Sequence, residues 1–594
     1  MKWTPADDLT RGKTFDARLT RRLLTYVLPH WPMVLASLAV VLAASVPQLV
    51  QPYLYMLAID QHLVPGRLDG LGLLVLAYLG TLVAEFFLRF GEVYLLEATG
   101  QRIIHDLRLH IFRHLQDQSA AFYDRNPVGR IVTRVTTDVE TLNELFSSGV
   151  VSVLADLVKV AAVLVILWKL DHRLTLASFS ILLPLAALSA LFRSTLRRVY
   201  REVRALVAGL NVHLQESLVG VRLLQLFRAE EDNRRRFREI NRSHLEAEGR
   251  SILLESTFSA LVELLGTLAV ATLLWTGAAG ILRGAITFGT LVAFLQYVQR
   301  FYGPLRDLSA RTAVMQSAMA ASERIFELLD TRPEVLTPAA PRRPAAARGA
   351  LEFRDVWFSY AGGEPVLRGL SLEVEPGERL ALVGSTGAGK TTLIKLLARL
   401  YDPTRGSIRL DGVDLRDMDP REVRRRVGLI LQDGALFADT LDWNLRLGND
   451  TFSEARLWEA LRLAQAEDLV RSLPAGLAEP VRERGTNFST GQRQLLALAR
   501  ALVFDPPVLV LDEATAAIDP ATESRIRASL AEVLRGRTAL LIAHRLTTLE
   551  LADRIAVLEG GAIRESGRHE DLLRASGAYR ALYRLNDSPG LAGG

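Results

Sequence analysis

The chain has 594 residues, too many for one hydrophobic core, so two or more domains are expected. Hydrophobic residues make up 49% of it and are densest before Gly303, which predicts a membrane half followed by a soluble half. Cysteine is absent, which excludes disulfides, thiolate metal sites and a cysteine nucleophile, and the net charge of +5 points to no particular partner.

Residues 1–30 are polar and basic. The first apolar segment starts late and lacks a small-residue cleavage site, so a cleaved signal peptide is not expected. Leu23–Pro32 reads as a short helix on the membrane surface. Six apolar runs approach the roughly 20 residues a spanning helix needs: Trp31–Ile59, Gly70–Gly91, Val150–Leu170, Leu174–Leu191, Phe258–Leu282 and the shorter Phe288–Tyr302. An even number puts both termini on one side. Arginines crowd the connection between the second and third runs (Arg102, Arg108, Arg113, Arg125, Arg130) and the one between the fourth and fifth. The opposite connections hold only Arg67, Lys169, Arg173 and Arg283. The positive-inside rule then puts the long connections, both termini and the soluble half in the cytoplasm.

Leu107, Ile111 and Leu115, and Leu206, Leu210, Leu214 and Leu218, recur at helical spacing, so helices are expected to continue from the bilayer into the cytoplasm. Each long connection has a break, at Asp124–Gly129 and near Gly209 or Gly220, where short crosswise helices can press on a cytoplasmic domain. Several ionisable residues interrupt the apolar runs: Glu85, Arg89, Glu92, Asp156, Lys159 and Glu263. Such charges are costly in hydrocarbon. Asp156 and Lys159 are spaced to pair. The others either reach the interface near span ends or, for Glu263 deep in the fifth run, face a wet or cargo-lined cavity. The Pro-, Ala- and Arg-rich residues 331–350 have no periodic apolar face and read as a linker. The expected division is a membrane domain over 1–330, the linker, and a second domain over 351–594.

In the second domain, apolar runs alternate with helical patterns, the mark of an α/β fold with a largely parallel sheet. Arg379–Val383 leads into Gly384-Ser385-Thr386-Gly387-Ala388-Gly389-Lys390-Thr391-Thr392, which opens a helical pattern. Strand, glycine turn and helix form a phosphate-binding P-loop. Its backbone N–H groups wrap phosphate oxygens, Lys390 reaches the β- and γ-phosphates, and the Thr391 hydroxyl reaches Mg²⁺. Asp512 ends the run Val508–Leu511 and is placed as a second Mg²⁺ ligand, with Glu513 beside it to orient or deprotonate a water. Gln432 is placed to touch metal and water, and His544 to touch the γ-phosphate. Ser489-Thr490-Gly491-Gln492 opens another helical run and offers a second anion site at a helix N-terminus. Two phosphate sites on different faces complete each other only when two such domains meet head-to-tail.

The order P-loop, Gln432, Ser489–Gln492, Asp512-Glu513, Asp519, His544 resembles the nucleotide-binding domain of ATP-binding cassette (ABC) transporters, with Tyr360 where that family stacks adenine. Phe122–Arg130, Gln215–Arg222 and Ala321–Phe326 resemble the exporter branch, the first two its coupling helices. The resemblance implies an all-α membrane domain of six long helices followed by an α/β P-loop ATPase. Such a half-transporter works as a dimer, with ATP and Mg²⁺ sandwiched between P-loop and signature motif. It implies export of amphipathic cargo (drugs, lipids or peptides) across the cytoplasmic membrane, with no nucleic acid involved.

Two positions depart from the family pattern: Thr490 replaces the first glycine of the signature, and Ala516 replaces a serine beside Asp519. With Lys390, Thr391, Gln432, Asp512, Glu513 and His544 all kept, the chain resembles the catalytically complete subunit of a heterodimer. The expected partner is a second half-transporter with an intact signature and no catalytic glutamate. A homodimeric lipid flippase and an ATP-gated channel or regulator are the alternative readings.

Overall fold

The computed structural model of the chain describes residues 16–146, 150–430, 434–512, 520–542, 549–575 and 577–587. They form two compact units, one of residues up to Arg113 with Ile131–Asp330, the other of His114–Arg130 with Thr331 onward.

The first unit is helical. Among the described residues, five stretches are long and apolar enough to cross a membrane: Ala17–Leu63, Leu71–Gln116, Val151–Leu170, His172–Val219 and Glu230–Leu282. The sixth expected run, Phe288–Tyr302, lies at the start of a 43-residue helix, Phe288–Asp330. Arg300 falls inside that run and Arg306, Asp307 and Arg311 follow it, which is why its apolar length is short. The helices Leu71–Gln116 and Glu230–Leu282 have 46 and 53 residues. At about 1.5 Å per residue each is more than twice a hydrocarbon layer of about 30 Å, so they run on beyond the bilayer.

Three local details follow from residue chemistry. The fourth run is not one helix. Asp171 caps His172–Phe179 by accepting from Leu174 N at 2.8 Å, and a new helix starts at Leu182. Pro184 explains the break, since its ring clashes with the carbonyl four residues back and it has no N–H to donate. Of the two glycines considered for the break in the second long connection, Gly220 ends Leu182–Val219, while Gly209 lies inside that helix. Gly289 brings two helix ends together: a Cβ there would lie 2.5 Å from the Met56 carbonyl, and Gly289 N donates to Asp60 Oδ1 at 2.8 Å.

The polar side chains among these helices pair with one another. Asp156 lies 3.8 Å from Lys159, and Arg311 reaches its other oxygen at 2.9 Å. Arg89 pairs with Glu92 at 3.1 Å. Glu85 accepts from Gln48 at 3.0 Å and Gln51 at 2.7 Å, and Gln51 in turn accepts from Arg300 at 2.7 Å. Gln51 is 4% exposed, so this chain of bonds ties three helices together through their interior. Glu263 is exposed on the single chain.

The second unit holds two sheets. Strands β1 (Leu351–Phe358), β2 (Leu367–Val374), β4 (Arg405–Leu410) and β5 (Val413–Asp414) form an antiparallel sheet in the order β2-β1-β4-β5. The larger sheet has the order β10-β9-β3-β8-β7-β6, built from β3 (Arg379–Val383), β6 (Val427–Ile430), β7 (Val508–Asp512), β8 (Thr538–Ile542), β9 (Arg554–Glu559) and β10 (Ala562–Gly567). All its pairs are parallel except β9–β10. Its central strands are buried on both faces, which is why β3, β7 and β8 read as continuous apolar runs rather than alternating ones. Residues 331–350 carry no helix or strand.

Candidate functional site

The site is built at the carboxyl edge of the parallel sheet, where open α/β folds bind ligands. β3 ends at Val383 and the chain turns at once into the glycine loop. Gly384 has no room for a side chain, because a Cβ would sit 2.3 Å from the Leu558 carbonyl of β9. Gly389 is held at φ +109°, where a Cβ would also meet Leu367 at 2.8 Å. The helix Lys390–Leu397 starts directly after it. Lys390 is 6% exposed, and its ammonium donates to the carbonyls of Gly384 at 2.6 Å and Ser385 at 3.0 Å, inside the curl of the loop. Ser385, Thr386 and Gly387 form the exposed rim, Ala388 is buried beneath them, and Thr391 is exposed at the helix start. A buried lysine, a helix N-terminus and a ring of backbone amides make a cradle for a polyphosphate.

Strand register places the acid. Leu382 of β3 pairs with Ile542 of β8, and Ile542 pairs with Asp512 of β7. Asp512 therefore stands level with the loop entrance, about 10 Å away across two strand spacings. It is half-buried at the sheet edge. In the sequence Glu513 follows it, Gln432 comes two residues after β6 and His544 two after β8. Gln432, Glu513, Asp519 and His544, with Ala516, lie outside the described residues. The described donors toward a metal are one hydroxyl, Thr391, and one carboxylate, Asp512. Few hard oxygen ligands suit Mg²⁺, which keeps water and phosphate oxygens for its remaining positions.

Tyr360 lies beside this cradle. Its hydroxyl and Thr392 Oγ1 are 3.1 Å apart, which ties the end of the β1 segment to the P-loop helix. Its ring packs edge-on against Phe358 at 4.8 Å and Tyr401 at 5.3 Å. Tyr401 was not singled out by sequence. It falls just past the periodic run Leu393–Leu400, and nothing local marks it for the cluster.

The second anion site is a well-formed helix cap. Ser489 Oγ accepts from Gln492 N at 3.2 Å, and the Gln492 side chain accepts from Ser489 N at 2.9 Å. This capping box starts the helix Thr490–Val503. Ser489 keeps its own hydrogen to donate, and the N–H groups of Thr490 and Gly491 are those the cap leaves over. Thr490 is exposed, and its hydroxyl accepts from Arg493 at 3.2 Å. A β-branched residue is more restricted in backbone conformation than glycine. Here Thr490 occupies the first turn of a right-handed helix and is not among the positive-φ residues, so the backbone at this point does not call for glycine. What Thr490 adds is bulk beside the cap.

Comparison with known proteins shows the family. Residues 34–305 match the family model of the ABC transporter transmembrane region, and residues 367–516 that of the ABC transporter. An uncharacterized ABC transporter ATP-binding protein of Bacillus subtilis, YknV, is 36% identical over 97% of this chain and 96% of its own length. An ATP-dependent lipid A-core flippase of Thiobacillus denitrificans is 35% identical over 96% of this chain and 98% of its own. The structure of a bacterial Atm1-family ABC exporter with ATP bound superposes with a TM-score of 0.74 at 28% identity, over 97% of this chain and all of that one. The chain belongs to the ABC transporters: it is a multi-pass half-transporter of the exporter type, with a helical membrane domain followed by an α/β ATPase whose hydrolysis is coupled to transport.

Proposed function

We propose that the chain exports an amphipathic cargo, a drug, lipid or peptide, across the cytoplasmic membrane by alternating access, with both termini and the ATPase domain in the cytoplasm. It does so as the catalytically complete half of a heterodimer. The observation that carries this reading is the pairing of a complete cradle, with Lys390 buried in it and Asp512 at the same sheet edge, with a signature cap altered at Thr490. The domain limits used are 1–330, 331–350 and 351–594.

The amides of Gly384–Thr392 and the Lys390 ammonium bind the phosphates of ATP, and Tyr360 stacks on the base. Thr391 and Asp512 would hold Mg²⁺, with Gln432 as a further ligand, and the ion would offset charge on the phosphates. Glu513 orients the attacking water and takes its proton, Gln432 helps position that water, and His544 donates to the γ-phosphate. Phosphoryl transfer needs little beyond such positioning and charge stabilisation. Ser489, Thr490, Gly491 and Gln492 face the nucleotide of the partner subunit, and Asp519 lies along the shared seam. Two bound nucleotides close the cytoplasmic side, and hydrolysis reopens it. Glu513→Gln should keep ATP binding and lower turnover by about a hundredfold or more. A variant hydrolysing at the parental rate would refute this choice of base.

A homodimeric lipid flippase is the second reading. It is favoured by the undistorted capping box at Ser489 and the right-handed backbone of Thr490, together with a relative named as a lipid A-core flippase.

A further inference from the structure

The segment His114–Arg130 belongs to the ATPase unit, although the chain enters it from the long helix Leu71–Gln116 and leaves it toward Val150–Leu170. Its short helix, Ala120–Arg125, buries Ala121 in the same core as Leu393 and Leu397 of the P-loop helix. Asn126 closes that helix by donating to the Phe122 carbonyl at 2.8 Å, and Gln118 donates to the Thr331 carbonyl at 2.8 Å. These contacts anchor the segment. One further contact has a different character. Asp124 accepts from the Tyr401 hydroxyl at 2.6 Å and from the Lys395 ammonium at 3.2 Å.

Both donors are part of the nucleotide cradle's own framework. Lys395 lies on the P-loop helix, and its ammonium is 5.6 Å from the centre of the Tyr360 ring and 5.8 Å from that of Tyr401. Tyr401 is 7% exposed and packs edge-on against Tyr360 at 5.3 Å and Phe358 at 5.4 Å. Tyr360 reaches Thr392 through its hydroxyl. A single cluster therefore has the ring assigned to the base at one end and a carboxylate of the first cytoplasmic connection at the other. Burial, and donation to Asp124, push the Tyr401 phenol well up from its ordinary value, so it stays a donor. Donation from Tyr401, with Lys395 adding to it, holds the Asp124 carboxyl below the usual carboxylate range, so it stays a charged acceptor. A charge-assisted bond of this kind is stronger and more directional than the neutral contacts around it.

We propose that Tyr401 is a positioning residue through which the presence of the base against Tyr360 is passed to Asp124 and the first cytoplasmic connection, so that base recognition and coupling share one aromatic cluster. This rests on Tyr360 being the base-stacking ring. A base seated on Tyr360 restricts that ring, the ring restricts Tyr401, and Tyr401 fixes Asp124. Occupancy of the phosphate cradle alone does not engage this path.

Hydrogen exchange of the full-length transporter in lipid, carrying Glu513→Gln to stop turnover, tests this without knowing the cargo. ATP should slow exchange both in the P-loop peptide and in residues 118–130, the latter by about threefold or more. Inorganic tripolyphosphate, which has no base, should protect the P-loop peptide and leave 118–130 unchanged. Tyr401→Phe keeps the ring and removes only the hydroxyl, and it should cut the ATP-dependent protection of 118–130 to about half or less while leaving the P-loop protected. Full protection of 118–130 by tripolyphosphate in the parental protein overturns the proposal, as does full protection by ATP in Tyr401→Phe. Failure of the base assignment reads out separately: Tyr360→Ala would then bind ATP as tightly as the parent.

Discussion

The two units use their apolar residues differently. In the ATPase unit, β3, β7 and β8 bury theirs almost completely, and the charged groups that matter stand at the sheet edge. In the membrane unit many large apolar side chains face outward: Trp275 is 82% exposed, and Phe86, Leu183 and Leu274 are exposed too, while others such as Leu167 and Phe294 pack inside. Polar residues such as Gln51 and Ser37 share those inward positions. Burial away from water drives the first arrangement. In lipid that force is absent between helices, so packing and interior hydrogen bonds must hold the second. A substitution should therefore act by different rules in each unit, and the contrast can be tested.

The largest effect belongs to the cradle. Lys390→Met removes the buried cation proposed to hold the phosphates, and ATPase activity of the purified transporter should fall by about a hundredfold or more, with its oligomeric state unchanged. Gly389→Ala comes next, since it forces a side chain to φ +109° and against Leu367. It should cost about 1–3 kcal/mol and lower the melting temperature of the ATPase unit, measured by tryptophan fluorescence or calorimetry. In the membrane unit, Glu85→Ala strips the acceptor from Gln48 and Gln51. It should lower the thermal stability of the detergent-solubilised protein by about 1–3 kcal/mol while ATP affinity stays at the parental value. Trp275→Leu, on the outward surface, should change stability by no more than about 0.5 kcal/mol. A Glu85 variant that weakened ATP binding as much as Lys390→Met would erase the contrast between the units.

The sequence carried these features unequally. The P-loop was legible because its chemistry is local: glycines, lysine and threonine within ten residues make the cradle almost unaided. Strands β3 and β7 were legible as apolar runs, ending in the loop and in Asp512. The membrane helices were legible from length and hydropathy, although the break at Ser180 needed Pro184 to be weighed against an otherwise continuous run. Long-range pairs left no trace. Tyr401 and Asp124 are 277 residues apart, and Arg300 and Gln51 are 249 apart. No periodicity or spacing marks such partners, because only the folded backbone brings them together. That Thr490 replaces a glycine is visible in the sequence, but that it sits in a right-handed first turn with its side chain exposed is visible only in the folded chain.

What Thr490 means for the assembly remains the sharpest use of this contrast, since its side chain faces outward from a complete cap while the cradle in the same chain is intact. The direct measurement is the subunit composition of the complex purified from its native membrane through a tag on this chain. The account predicts a second, similar chain at one-to-one stoichiometry, with an unaltered signature and no catalytic glutamate. A single species of this chain alone, hydrolysing ATP at two equivalent sites, would contradict it.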